Sequence, residues 1–205
     1  MSSQPILIEF GDKTQHQVDT DELIATLPGD TIREKVIRYV SDILTPQYRD
    51  INKHITTQDG IHVENRELEM IRSLRNKLVD ITFLQGLERE QEDKAAISEQ
   101  LSPMIESIST LYSSMLVAYC HTELDALNRL RENLWQEVEG RQYDASHFNK
   151  LIDGTKNVET IASSLSRKNI RDEIFRECSL LRDAYKRIIA YNNDYRGRKA
   201  RHQDT

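Results

Sequence analysis

Apolar residues recur every three or four positions along most of the chain between Val63 and Tyr195, the rhythm of helices with one buried face. From Val63 to Gly140 the chain has one proline, Pro103, and one internal glycine, Gly86. The first stripe runs Leu68, Ile71, Leu74, Leu78, Ile81, Leu84 and Leu87, in the three-and-four steps of a coiled-coil seam. Glu88 to Lys94 contains no apolar side chain and reads as a solvated helix tip or a loop. Ser102-Pro103 has the chemistry of an N-cap followed by a first helical residue. A second long helix is therefore expected from Pro103 to Gly140, a glycine suited to the position just past a helix end. Its stripe runs Ile105, Ile108, Tyr112, Met115, Tyr119, Ala126 or Leu127, Leu130, Leu134 and Val138, and Leu111, Leu116 and Leu124 widen it. At 1.5 Å per residue that helix would span about 57 Å. The average globular helix has only about 11–12 residues. The pattern predicts two long struts in an antiparallel hairpin around Pro103, and an elongated molecule. A charge introduced mid-stripe, at Leu78 or Leu130, is expected to unfold the chain or dissolve an assembly.

The flanking segments are shorter. Ile6 to Phe10 reads as a strand, and Thr14 to Val18 as its hairpin partner across the turn Gly11-Asp12-Lys13. Two strands are marginal alone. They need a covering face, or they offer an edge to another chain. Asp19-x-x-Glu22 opens a short helix from Thr20 to Leu27, and Thr31-x-x-Glu34 opens another. The second buries Ile32, Val36, Tyr39, Val40, Ile43 and Leu44 until Pro46 ends or kinks it. Tyr48, Ile51 and Ile55 extend it by two turns, and Thr56 to Gly60 reads as a loop. Beyond Asp144 or Ser146 a third stripe holds Phe148, Leu151, Ile152, Val158, Ile161, Ala162 and Leu165, with a weak point at Gly154. It resumes at Ile170, Ile174, Cys178, Leu181, Tyr185, Ile188 and Tyr191 or Tyr195. Polar Ser166 to Asn169 leaves open whether this is one helix or two. The expected fold is all-α, an elongated antiparallel helical bundle built on two long helices. A hairpin-and-helix cap would occupy residues 1–60, the bundle 61–196 and a basic flexible tail 197–205.

Composition narrows the class. Hydrophobic residues make up 38% of the 205, below the roughly 45–50% of ordinary globular chains. That suffices for a thin bundle whose apolar residues are ordered into stripes. With seven glycines and four prolines, sandwiches, barrels and long disordered linkers are disfavoured. Cys120 and Cys178 both fall on apolar faces, as reduced core thiols do, and form neither a zinc motif nor a disulfide framework. The N-terminus lacks the basic and apolar regions of a secretory signal. No apolar run approaches the roughly 18 residues of a membrane helix. The expectation is a soluble, cytoplasmic protein. The net charge of −6 is uneven: residues 1–166 carry 17 Lys/Arg against 28 Asp/Glu, and residues 167–205 carry 11 against 6. A basic end on an acidic body suits an acidic partner or self-association, although helix C-termini also favour cations.

Little in the chain resembles catalytic machinery. The Glu-x-x-His pairs of di-iron bundles are absent. Cys120, His121, Glu123 and Asp125 cluster on the second long helix, with His121 and Asp125 on one face, but no second pair completes four ligands. No metal or cofactor is expected. There is no Gly-x-Ser-x-Gly and no glycine-rich phosphate loop. Arg141 and His147 have the spacing of a helical-bundle RNase, in which Arg stabilises phosphate charge and His acts as base, but the segment also reads as an inter-helix loop containing Asp144. Arg196, Arg198, Lys199 and Arg201 form a basic tail behind Tyr191 and Tyr195. Cations there would track phosphates and tyrosines would stack on bases. The acidic body opposes that reading, and both tyrosines fall on the core stripe. The polar faces carry both signs, which disfavours membrane association. The expected function is a non-enzymatic assembly or adaptor subunit. It would bind protein partners or a second copy through amphipathic helix faces, with Arg196, Arg198, Lys199 and Arg201 as candidate partner-binding residues. A nucleic-acid-associated accessory subunit is the alternative, and a helical-bundle RNase-like enzyme the third reading.

Overall fold

The computed structural model describes residues 4–57, 60–61, 63–140 and 144–203, with side chains described for those outside 56–61 and 195–203. Hairpin strands β1 (Ile6–Glu9) and β2 (Gln15–Val18) are followed by helices α1 (Thr20–Thr26), α2 (Ile32–Tyr39) and α3 (Thr45–Ile55). A two-residue ladder, β3 (Thr56–Thr57) with β4 (Gly60–Ile61), stands where the sequence reads as a loop. Helices α4 (Asn65–Gly86), α5 (Gln91–Glu139), α6 (Ala145–Ala162) and α7 (Lys168–Gln203) complete an all-α bundle. Two compact units emerge, Met1–Tyr119 and Cys120–Thr205, and α5 contributes residues to each.

Start signals in the sequence work as expected. Asp19 accepts from the Glu22 amide at 3.0 Å, Thr31 from the Glu34 amide at 3.2 Å, and Glu64 and Glu67 form a reciprocal capping box on α4. A π-helical turn, Val40–Leu44, joins α2 to α3. Pro46 lacks the N–H that would continue an α ladder, and its ring crowds the carbonyl four residues back. The wider π turn ending just before it accommodates both defects, so helical backbone continues through Pro46 instead of stopping.

Pro103 does not turn the long hairpin. It sits inside α5, a helix of 49 residues, and the turn lies earlier, at Leu87 to Glu90. An interior proline costs about 3 kcal/mol. Upstream of it, however, Ile97 and Leu101 are fully buried, and Pro103 itself is exposed, so its ring meets solvent. Burying two such side chains offsets that cost at about 1.5–3 kcal/mol each. The polar run supplies the turn: the Glu88 carboxylate accepts from the Arg89 and Glu90 amides at 2.7 and 3.1 Å. Leu87, assigned to the stripe by its spacing, is 42% exposed. Polar contacts fix α4 antiparallel to the first part of α5. Gln85 donates to Ser98 at 2.8 Å, Arg75 to Tyr112 at 2.7 Å and Tyr119 to Asn65 at 2.9 Å.

The β1–β2 hairpin is covered on one side by α4, through a buried polar cluster. Its loop turns at Lys13, whose φ is 65°, and sends Asp12 inward. The Asp12 carboxylate, wholly buried, accepts from Thr14 Oγ1 at 2.6 Å, Tyr112 at 2.9 Å, Arg72 at 3.0 Å and Arg75 at 3.4 Å. Phe10 stacks on the Arg75 guanidinium at 3.4 Å. His16 of β2 adds a contact to Asp80 of α4, at 2.6 Å.

In the second unit α6 and α7 are separate helices. Ser163 to Arg167 forms the turn around buried Leu165, with Ser163 and Ser164 hydroxyls donating to the Thr160 and Ile161 carbonyls at 2.6 Å. Gly154 is a contact point, not a flaw. A Cβ there would lie 2.6 Å from a methyl of Leu127, so its bareness lets α5 and α6 close together. Phe148 and Tyr185 meet edge to face at 5.9 Å, and Arg182 bridges to Glu159 at 2.8 Å, tying α6 to α7.

Cys120 and Cys178 are buried and free, as their stripe positions imply. Burial pushes the Cys120 thiol up to about 12, with Cys178 and Glu123 adding to it. Burial likewise pushes Cys178 up to about 11, Glu159 reinforcing it. Reaction with a disulfide reagent at pH 8 needs thiolate and access. Neither cysteine is expected to react in the folded protein, and both should react in denaturant. Rapid titration of a thiol under native conditions would show that the α5–α7 seam opens.

Candidate protein-docking surface

In the second unit an apolar groove between α5 and α7 lies open. The last part of α5 and the middle of α7 run side by side in the same direction: Arg131 and Arg187 lie at one level of the groove between them, Trp135 and Tyr191 a turn further on. This direction follows from connectivity, since α6 reverses the chain after α5 and α7 reverses it again. Each helix spends its main stripe on the core, where Leu127, Leu134, Leu181 and Ile188 are buried. Residues one step around the helix then form a second, shallower face.

That face is apolar at its floor and charged at its edge. Trp135 is 38% exposed, Leu180 55% and Tyr191 46%. The Trp135 and Tyr191 rings meet at 5.5 Å with planes inclined by 48°. Ala184 and Ile188 continue the floor between them and Leu180, and the groove encloses about 450 Å³. Arg131 and Glu132 stand along the α5 edge, Asp183 and Arg187 along the α7 edge. A half-exposed tryptophan beside arginines is the composition of binding hot spots.

Periodicity alone misses this surface. It assigns Tyr191 to the core stripe, whereas the ring is nearly half exposed. It singles out neither Trp135 nor Leu180, because both lie off the main stripes. A usable signal was present: Leu180 and Ala184 lead in steps of four to Ile188 of the main stripe and widen the apolar face of α7.

The other candidates fall elsewhere. The α7 backbone continues helically through Arg196, Arg198, Lys199 and Arg201 to Gln203, where a flexible tail is expected from residue 197; their side chains lie outside the described ones. Around a helix of 3.6 residues per turn these four positions are spread on all sides. His121 and Asp125 face Glu173 and Glu177 of α7 across a polar groove of about 180 Å³. Among the described residues no group of three His, Cys, Asp or Glu is arranged to hold a metal ion. His147 sits in the first turn of α6 with its Nδ1 at 2.9 Å from Glu137 Oε1, and Asp144 caps that helix by accepting from the Ser146 amide at 2.8 Å. Arg141, its expected catalytic companion, lies outside the described residues. No described helix is long and apolar enough to cross a membrane. Comparison of the chain with protein-family models, curated proteins and solved structures finds no match.

Proposed function

We propose that this chain is a non-enzymatic assembly or adaptor subunit that binds protein through the α5–α7 seam of its second unit. One observation carries the reading: the exposed Trp135–Leu180–Tyr191 face, rimmed by charges of both signs. Large apolar side chains at such exposure are costly to leave in water, at about 25 cal/mol per Å². Burying them against a helix is the mode by which amphipathic partners dock. A cytoplasmic setting is consistent with two reduced, buried thiols.

Retention of proteins from the native source on immobilised full-length chain tests this. Wild type and the remote α6 variant Lys156→Glu are expected to retain a stoichiometric partner that Leu180→Glu loses. Leu180 is too exposed for this change to alter folding much, so the thermal midpoints should agree. The same proteins on all three chains would overturn the reading.

A second reading, a nucleic-acid-associated accessory subunit, rests on the helical continuation of α7 through Arg196, Arg198, Lys199 and Arg201. Binding to a short duplex that weakens steeply with salt, and is lost on deletion of residues 196–205, would favour it.

A further inference from the structure

The groove face of α7 is complementary to itself. Leu180, Asp183, Ala184, Arg187 and Tyr191 occupy one stripe, in the order apolar, acidic, small, basic, aromatic, with buried Ile188 beneath it. A second copy of α7, laid antiparallel along this stripe about a two-fold axis near residue 185, sets Leu180 beside the second copy's Tyr191. The same operation sets Asp183 beside the second copy's Arg187, and each contact occurs twice because a two-fold interface is isologous. Ala184 falls beside the axis, where a small side chain lets two helices approach to the usual 8–10 Å.

We propose that the partner on this face is a second copy of the chain, docked α7 to α7 as an antiparallel dimer. The inference rests on the docking-surface reading and names its occupant. Charge favours this occupant. The chain carries −6 overall, which opposes contact between copies at random. The groove rim, with Arg131 and Arg187 against Glu132 and Asp183, is neutral, and the two-fold brings opposite signs together. Among the described residues of one copy, Asp183 pairs with Lys186 at 3.3 Å, an exposed pair on the same helix. Such a pair is weak and yields readily to an intermolecular one. The stripe is short, so the contact area falls at the low end for specific complexes, where association is weak and transient; the test is set for a dissociation constant on the order of 10 µM.

Sedimentation equilibrium of the purified full chain from about 1 to 300 µM, a range spanning that constant, tests this. The mass is expected to rise from 23.9 kDa towards twice that value. The emission of Trp135, the single tryptophan, should shift to the blue over the same range as the groove is covered. Asp183→Arg alone, or Arg187→Asp alone, sets like charges opposite each other twice and should weaken association at least about tenfold. The double variant Asp183→Arg/Arg187→Asp restores the pairing and should return to within about threefold of wild type. That rescue excludes misfolding as the cause of the single-variant losses. A wild-type mass of 23.9 kDa at every concentration, or a double variant no better than the singles, overturns the dimer. If the dimer fails while Leu180→Glu still loses a partner from the native source, the face is a docking surface for a different protein. If both fail, it is not a docking surface.

Discussion

Replacing Asp12 with alanine is expected to destabilise the protein more than any other single truncation of a polar side chain, by about 3–5 kcal/mol, because it takes the counter-charge from buried Arg75 and leaves Arg72 only its more exposed pair with Glu69. Arg75 is buried and Arg72 nearly so, and both converge on the Asp12 carboxylate with Tyr112 and Thr14. Asp12→Asn keeps the shape and part of the hydrogen bonding, so it should cost less. Chemical denaturation followed by circular dichroism checks the order wild type, Asn, Ala. If Asp12→Ala melts like wild type, the cluster does not hold the hairpin to α4.

The same carboxylate predicts an acid limb. Burial by itself raises its pKa, but hydrogen bonds from Thr14 and Tyr112 and the charges of Arg75 and Arg72 outweigh burial and bring it from 3.8 down to about 2. A carboxyl depressed on folding contributes stability that is fully present above its unfolded value. That contribution is lost as pH falls from about 4 through 2, and amounts to on the order of 2 kcal/mol. Asp12→Asn should remove this step from the pH profile of stability and leave the profile above pH 5 parallel to that of wild type.

The second large effect separates two leucines that look alike in the sequence. Leu134 and Leu130 lie one turn apart on the same predicted stripe of α5. Leu134 is fully buried, whereas Leu130 is half-buried at the side of the three-helix unit. Leu134→Asp puts an unpaired charge into the core and should cost several kcal/mol, enough to unfold most of the unit. Leu130→Asp can turn its carboxylate to water and should cost about 1–2 kcal/mol. Leu78→Asp, at a buried position of α4, should behave like Leu134→Asp. Equal midpoints for the two α5 variants would mean that the face of α5 is rotated from the one described here.

Spacing of apolar residues fixed much of the fold in advance. The stripes of α4 and α6 name most of the buried side chains, that of α7 names Ile174, Cys178, Leu181 and Ile188 but adds exposed Tyr191, and the capping residues name the starts of α1, α2 and α6. Those features are local, because a helix period and a side-chain cap depend on residues within one turn. Pro103 misleads for the same reason. Its local chemistry is that of a helix start, and only the burial of Ile97 and Leu101 upstream keeps α5 running through it. The two-residue ladder after α3 likewise depends on a pairing that composition does not announce.

The exposed α5–α7 face shows the limit most plainly. Which apolar stripe of α5 or α7 is covered depends on how many helices the unit has to cover it, and three helices leave the α5–α7 seam open. The sequence by itself determined the all-helical class, the core stripes, the reduced cysteines and the absence of a recognisable catalytic motif. Tertiary structure decided that Asp12, distant in sequence from Arg72, Arg75 and Tyr112, becomes the shared counter-charge of the two arginines and the acceptor of the tyrosine hydroxyl. It also decided that Trp135, Leu180 and Tyr191 meet on one exposed face. Both are contacts between residues far apart in the chain, and their free energy arises only when packing has removed water from between them.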